Sequence, residues 1–231
     1  MLTGLMRENP MAAIQQPKVP QRVRRVLTIA EVERLIHAAK TPFERAVIEM
    51  LYATGARVTE LTRIRLEDVD WPQRSIRIVA GKGGKDRIVL FGSFAETAIR
   101  AYQEKRKPTS GLLFESPQSN ASAEPVYSPV AIRNVVRRAA HSAGLGPISP
   151  HMLRRAMATH MLQSGADLRV IQELLGHSLV TTTALYTSHS PENLLRIHAK
   201  YFPFADANQK EEPDATETAE PAQAGSFTAR A

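Results

Sequence analysis

Apolar residues recur at helical spacing through most of the chain from Thr28 onward. Val32, Leu35 and Ile36 share one face, and Thr28 with Glu31 three places later forms a capping-box start. From Pro42 the core spacing continues through Phe43, Val47, Ile48 and Leu51 and stops at Gly55, a residue suited to a left-handed helix end. A short helix is expected over 58–63. Longer ones are expected over 93–106, 129–143, 150–163, 167–175, 179–187 and 191–200.

Two stretches break this period. Residues 75–80 (Ser-Ile-Arg-Ile-Val-Ala) and 86–91 (Asp-Arg-Ile-Val-Leu-Phe) read as β-strands, joined by the turn Gly81-Lys82-Gly83-Gly84-Lys85. They form a hairpin with lysines at its tip, to which Leu112-Leu113-Phe114 adds a candidate third strand. The fold class is therefore mainly α with a small antiparallel β-sheet, an α+β domain expected to occupy residues 27–204. Residues 1–26, rich in Pro and Gln and ending in Arg22, Arg24 and Arg25, read as a linker. Residues 205–231 lose all apolar periodicity and read as a disordered acidic tail.

The absence of cysteine excludes disulfides and thiolate metal sites. No stretch approaches the roughly 18–20 apolar residues of a membrane span, and a cytoplasmic location is expected. The net charge of +7 is uneven: residues 206–231 hold six acids against two bases, leaving about +11 on the rest. A basic body of this kind expects a polyanionic partner, nucleic acid before membrane.

Five features carry candidate chemistry: Arg57, Lys82, the pair His151 and Arg154, His177, and Tyr186. Each alone has a plain structural reading. Arg57 and Lys82 suit solvated turns, and His151 and Arg154 share one helix face three residues apart. His177 suits a helix end, and Tyr186 suits a core tyrosine. The lysine turn lacks the strand–helix setting and the Ser or Thr of a phosphate-binding P-loop. His151 and His160 are nine apart and no His-Glu-x-x-His run exists, so neither metal nor other cofactor is expected.

The order of these features is the informative part. Ala53-Thr-Gly-Ala-Arg-Val-Thr-Glu-Leu61, Gly81-Lys-Gly-Gly-Lys-Asp-Arg87, His151-Met-Leu-Arg-Arg-Ala-Met-Ala-Thr-His160 and Leu174-Leu-Gly-His177, followed by Tyr186, resemble the catalytic domain of the tyrosine recombinase (phage integrase) family. The likeness runs from about Asn9 to Phe202 and is to the bacterial chromosome-dimer-resolving, transposon and integron members. It implies a site-specific recombinase that cuts and rejoins double-stranded DNA through a 3′-phosphotyrosine, without ATP. Attack on a phosphodiester builds negative charge on its free oxygens, and arginines meet such charge with forked, permanently cationic donors. That role falls to Arg57 and Arg154, with His177 as a third donor, each such donor being worth roughly 3–4 kcal/mol. Tyr186 is then the nucleophile, and its phenol, with a pKa of about 10, must shed its proton during attack. His151 is the candidate for assisting that transfer. The resemblance gives Lys82 the general-acid role at the leaving sugar hydroxyl.

Arg22, Arg24, Arg25 and Lys85, with Arg133, Arg137 and Arg138 on the 129–143 helix, are candidate DNA contacts, although a solvated face explains the helical three equally well. Arg155 stands where many family members have histidine. The resemblance also implies self-association on DNA as four protomers, with the helix over 191–200 docking on a neighbour. Packing of that helix onto its own core is the equal alternative. Members of the family carry a helical DNA-gripping domain before the catalytic one. Here only Met1 to Val26 precede it, resembling the end of such a domain and its linker. Two other functions stay open on sequence alone: relaxation of supercoils by type IB topoisomerase chemistry, and DNA binding without catalysis.

Overall fold

The computed structural model describes residues 25–79, 86–106, 110–117, 124–176 and 191–204. The Thr28 hydroxyl accepts from the Glu31 backbone N–H at 3.2 Å, and the Glu31 carboxylate accepts from the Thr28 N–H at 2.9 Å. This reciprocal cap starts α1 (Ile29–His37), which buries Val32, Leu35 and Ile36. Thr41 caps α2 (Pro42–Thr54), and Gly55 ends it at φ +59°. From Ala46 to Thr54 every residue of α2 is buried, so it is the central helix, packed against α1, α4 (Ser93–Glu104), α5 (Pro129–Ser142) and α6 (Pro150–Gln163). A helix apolar on nearly all sides has to be enclosed in this way.

After the short α3 (Val58–Leu61) a 3-10 turn leads into the sheet, whose strands are β1 (Val69–Asp70), β2 (Ser75–Ile78) and β3 (Arg87–Leu90). The order is β1-β2-β3, antiparallel throughout, with Ile76 opposite Val69 on one side and Val89 on the other. Ile76, Ile78, Val89 and Leu90 are buried against the helices. β2 and β3 pair antiparallel as expected, over shorter lengths than the apolar runs predicted, and the lysine turn between them lies outside the described residues.

The third strand is a correction. It is Val69–Asp70, and Leu112-Leu113-Phe114 does not join the sheet. All three of those side chains are buried, so the segment cannot present the alternating face of a surface strand. It plugs the core instead, its backbone tied to Ile64 and to the Arg106 guanidinium, which donates to the Leu112 and Leu113 carbonyls at 2.8 and 3.1 Å. Phe114, Phe43, Tyr102 and Tyr127 form an aromatic cluster there, with Phe43 stacked on Tyr127 at 4.5 Å.

The last two elements are α7 (Leu168–Leu175) and α8 (Pro191–Tyr201). In α8, Leu194 and His198 are buried on the chain's own core, with Phe202 just beyond, so one face of this helix packs in its own protomer, while Arg196 and Lys200 are exposed. The helix expected over 179–187 and the tail over 205–231 lie outside the described residues. Among the described residues no helix is long and apolar enough to cross a membrane.

Candidate active site

The end of α2 sets the first functional side chain. Gly55 adopts a left-handed conformation, and a Cβ there would lie 2.9 Å from Leu175 Cδ2. Glycine therefore lets α2 stop against α7 and turn at once into Arg57, the extended residue before α3. The Arg57 guanidinium is half exposed. Its Nη1 donates to Glu60 Oε1 at 2.8 Å, and its backbone N–H donates to Glu60 Oε2 at 2.7 Å.

Arg154 comes from α6. This helix begins at Ser149 with no side-chain cap and with Pro150, which has no N–H to satisfy, in its first turn, and the Met152 N–H donates to the Ser149 carbonyl at 2.9 Å. His151 is exposed in that turn, and Arg154, three residues on, is buried at 5% exposure. Arg154 Nη1 donates to the Gly55 carbonyl and Nη2 to the Leu175 carbonyl, both at 2.5 Å. These carbonyls close α2 and α7, and helix C-termini carry partial negative charge that suits a buried cation. Burial, then repulsion from Arg57 and Arg87, pulls the Arg154 pKa down to about 10, against a raising effect of Glu60. The group stays cationic at neutral pH.

Arg57, Arg154 and His151 line one cleft of about 240 Å³, together with Ser149 and with Arg133 from α5. Ser149 and Pro150 bring the first turn of α6 to the edge of the same space. A tetrahedral anion is the ligand that such a set of donors fits.

Two residues that contact the supports of the cleft arginines were not singled out by sequence reasoning, Glu60 and Arg87. Arg87, on β3, grips Glu60 at two points, 3.0 and 2.7 Å, and donates from Nε to the Leu174 carbonyl at 3.0 Å. Burial would raise the Glu60 pKa, but hydrogen bonds from Arg87 and from the backbone and side chain of Arg57 bring it down to about 2. The available signal was position: Glu60 stands one helical turn after Arg57, and Arg87 closes the lysine-turn segment.

The other candidates are dispersed. Arg25 is held by Glu31 in the first turn of α1. Arg137 and Arg138 line a separate hollow of about 430 Å³ with Lys40 and His141, and Arg138 pairs with Glu44 at 2.9 Å. Only Arg133 of the three α5 arginines reaches the cleft. Arg22, Arg24, Lys82, Lys85, His177 and Tyr186 lie outside the described residues.

The Phage integrase family model matches residues 25–193. The chain belongs to the phage integrase family. It is 36% identical over 210 residues to tyrosine recombinase XerD of Ralstonia nicotianae, covering 86% of this chain and 67% of that protein. It is 38% identical to tyrosine recombinase XerC of Mycobacterium sp. (strain KMS), over 87% of this chain and 71% of the relative. Among solved structures, XerA recombinase aligns with a TM-score of 0.63 at 30% identity, over 80% of this chain and 61% of that one. The integrase from mycobacterium phage Brujita aligns with a TM-score of 0.65 at 28% identity, over 85% and 64%. The phage integrase fold is thus present, and the chain carries the catalytic domain of a tyrosine-type site-specific recombinase. It spans about two thirds of the length of these relatives.

Proposed function

We propose that this chain cuts and rejoins double-stranded DNA at a specific site, using Tyr186 as nucleophile and the Arg57–Arg154 cleft as the seat of the scissile phosphate. The observation that carries the reading is the convergence of two guanidiniums, Arg57 and Arg154, and the His151 imidazole on a single 240 Å³ cleft.

In the reaction the Tyr186 oxygen attacks phosphorus, forming the O–P bond of a 3′-phosphotyrosine while the P–O5′ bond breaks. The phenol proton leaves with assistance from His151, and Lys82 protonates the departing 5′-oxygen. Arg57 and Arg154, with His177, meet the charge on the non-bridging oxygens. Attack by a 5′-hydroxyl from a second duplex reverses each step and restores a phosphodiester. One phosphoester replaces another, so the bond energy is conserved.

Arg133 at the cleft edge and Arg137 one turn along α5 extend the phosphate track, with Arg22, Arg24, Arg25 and Lys85 as further contacts. A soluble cytoplasmic protein assembling on DNA as four protomers completes the proposal, the exposed face of α8 supplying the contact between them. One solved relative, XerH recombinase, is described as bound to a palindromic difH substrate after cleavage, at 26% identity and a TM-score of 0.56.

The test is covalent capture. The protein is incubated with labelled, nicked duplexes of randomised sequence, and protein-linked DNA is read on a denaturing gel. Wild type should give an adduct whose DNA sequence can be recovered, and Tyr186→Phe should give none. An adduct that survives Tyr186→Phe, or none from wild type on any duplex, overturns the proposal.

A further inference from the structure

We infer that Arg87 is a positioning residue for both cleft arginines, holding Arg57 through a shared carboxylate and Arg154 through the end of α7. The inference rests on the reading of Arg57 and Arg154 as the groups that meet the scissile phosphate.

The shared carboxylate is Glu60. Its Oε1 accepts from Arg87 Nη1 at 3.0 Å and Arg57 Nη1 at 2.8 Å, and its Oε2 accepts from Arg87 Nη2 at 2.7 Å and the Arg57 backbone N–H at 2.7 Å. Each oxygen is thus tied to both arginines, which stops the carboxylate from rotating. The ion pair also settles a question of charge. Arg87 is buried, with 8% of its side chain exposed, whereas Arg57 is 52% exposed. The buried partner satisfies most of the Glu60 charge. Without it, Glu60 would draw fully on Arg57, the cation that the phosphate requires.

The second link runs through adjacent carbonyls at the end of α7. Leu174 O accepts from Arg87 Nε, and Leu175 O accepts from Arg154 Nη2. A shift of one peptide displaces the other, so the acceptor that orients Arg154 depends on Arg87. Gly176 makes this approach possible. It follows at φ +64°, and a Cβ on it would sit 2.7 Å from Arg87 Cδ. One guanidinium therefore joins β3, the α3 turn and the α7 terminus.

The experiment compares wild type, Arg87→Gln and Arg87→Lys on the nicked duplex recovered by covalent capture. The scissile group is either the ordinary phosphodiester or a methylphosphonate, in which an uncharged methyl replaces one non-bridging oxygen. On the diester, Arg87→Gln should slow adduct formation by about tenfold to hundredfold, the scale of a small misplacement of reacting groups. DNA affinity should be unchanged. Arg87→Lys, which keeps the charge but not the fork, should fold normally and recover only part of the rate. On the methylphosphonate there is less charge to meet, so the loss should shrink severalfold for both variants. An equal loss on both substrates means a role in folding alone and overturns the inference, as does no loss on either. If wild type itself forms no adduct, the parent reading fails; if only the Arg87 comparison fails, that reading stands.

Discussion

The Tyr52 hydroxyl and His160 Nδ1 lie 2.7 Å apart inside the domain, and the other His160 nitrogen, Nε2, lies 2.8 Å from the Leu27 carbonyl. A carbonyl only accepts, so Nε2 bears the ring proton, Nδ1 is bare, and Tyr52 donates to it. The link joins α2, α6 and the segment entering α1. Burial, with a smaller contribution from Glu33, raises the Tyr52 phenol well above its usual range, so this tyrosine keeps its proton. Tyr52→Phe leaves a buried nitrogen without a donor and should cost ~1–3 kcal/mol by urea denaturation. Adduct formation at low temperature should be unchanged. A variant as stable as wild type would remove the network from the account of stability.

His198 makes stability sensitive to acid. Its ring stacks on Phe202 at 4.6 Å and meets the Ala53 carbonyl at 3.4 Å. Burial, outweighing the hydrogen bond to Ala53, lowers its pKa from 6.5 to about 4. The unfolded chain therefore takes up the proton first as pH falls. The stabilisation is complete above the unfolded pKa of about 6.5 and is lost toward pH 4, on the order of 3 kcal/mol in all. His160, whose pKa burial also lowers, acts in the same direction. Glu49, whose pKa burial raises, opposes them. His198→Gln should flatten the denaturation midpoint between pH 6.5 and 4 relative to wild type. Parallel profiles would refute the assignment.

The two cleft arginines should separate stability from chemistry. Arg154→Lys loses the fork that serves both Gly55 and Leu175, at ~1 kcal/mol or more per carbonyl. Arg57→Lys, at a half-exposed position, should stay within ~0.5 kcal/mol of wild type. Both should slow adduct formation by about a hundredfold or more, since a lysine cannot match the planar fork. Melting curves set beside single-turnover rates test this directly.

Salt dependence should rank the α5 arginines. Arg133→Ala and Arg137→Ala should each lower the slope of log K against log salt by about 1, as for a lost phosphate contact. Arg138→Ala should change it less, because Glu44 already offsets that charge. Fluorescence anisotropy at several salt concentrations gives the slopes. Equal slopes for all three variants would place the DNA elsewhere.

Local features were legible without coordinates because their causes are local. Thr28 and Glu31 specify their cap within four residues, Gly55 supplies the left-handed stop of α2, and the apolar face of α1 follows from a period of 3.6. Leu112–Phe114 is ambiguous in sequence because three consecutive apolar residues suit a strand and a core plug equally. The choice between them lay with Arg106, which takes the carbonyls that a neighbouring strand would have used.

The helices and the paired strands that the structure describes, the basic body, and the ordered set of residues that marks the phage integrase family could all be read along the chain. All of these depend on neighbours along the chain or on residue identity alone. Packing in three dimensions, by contrast, buries Arg154 between the ends of two helices and brings Arg133, but not Arg137 or Arg138, to the cleft. It alone joined Arg87 to Glu60 beneath Arg57. Such pairings span 21 to 99 positions of sequence, and the packing of α2, α6, α7 and β3 is what brings them within hydrogen-bond range.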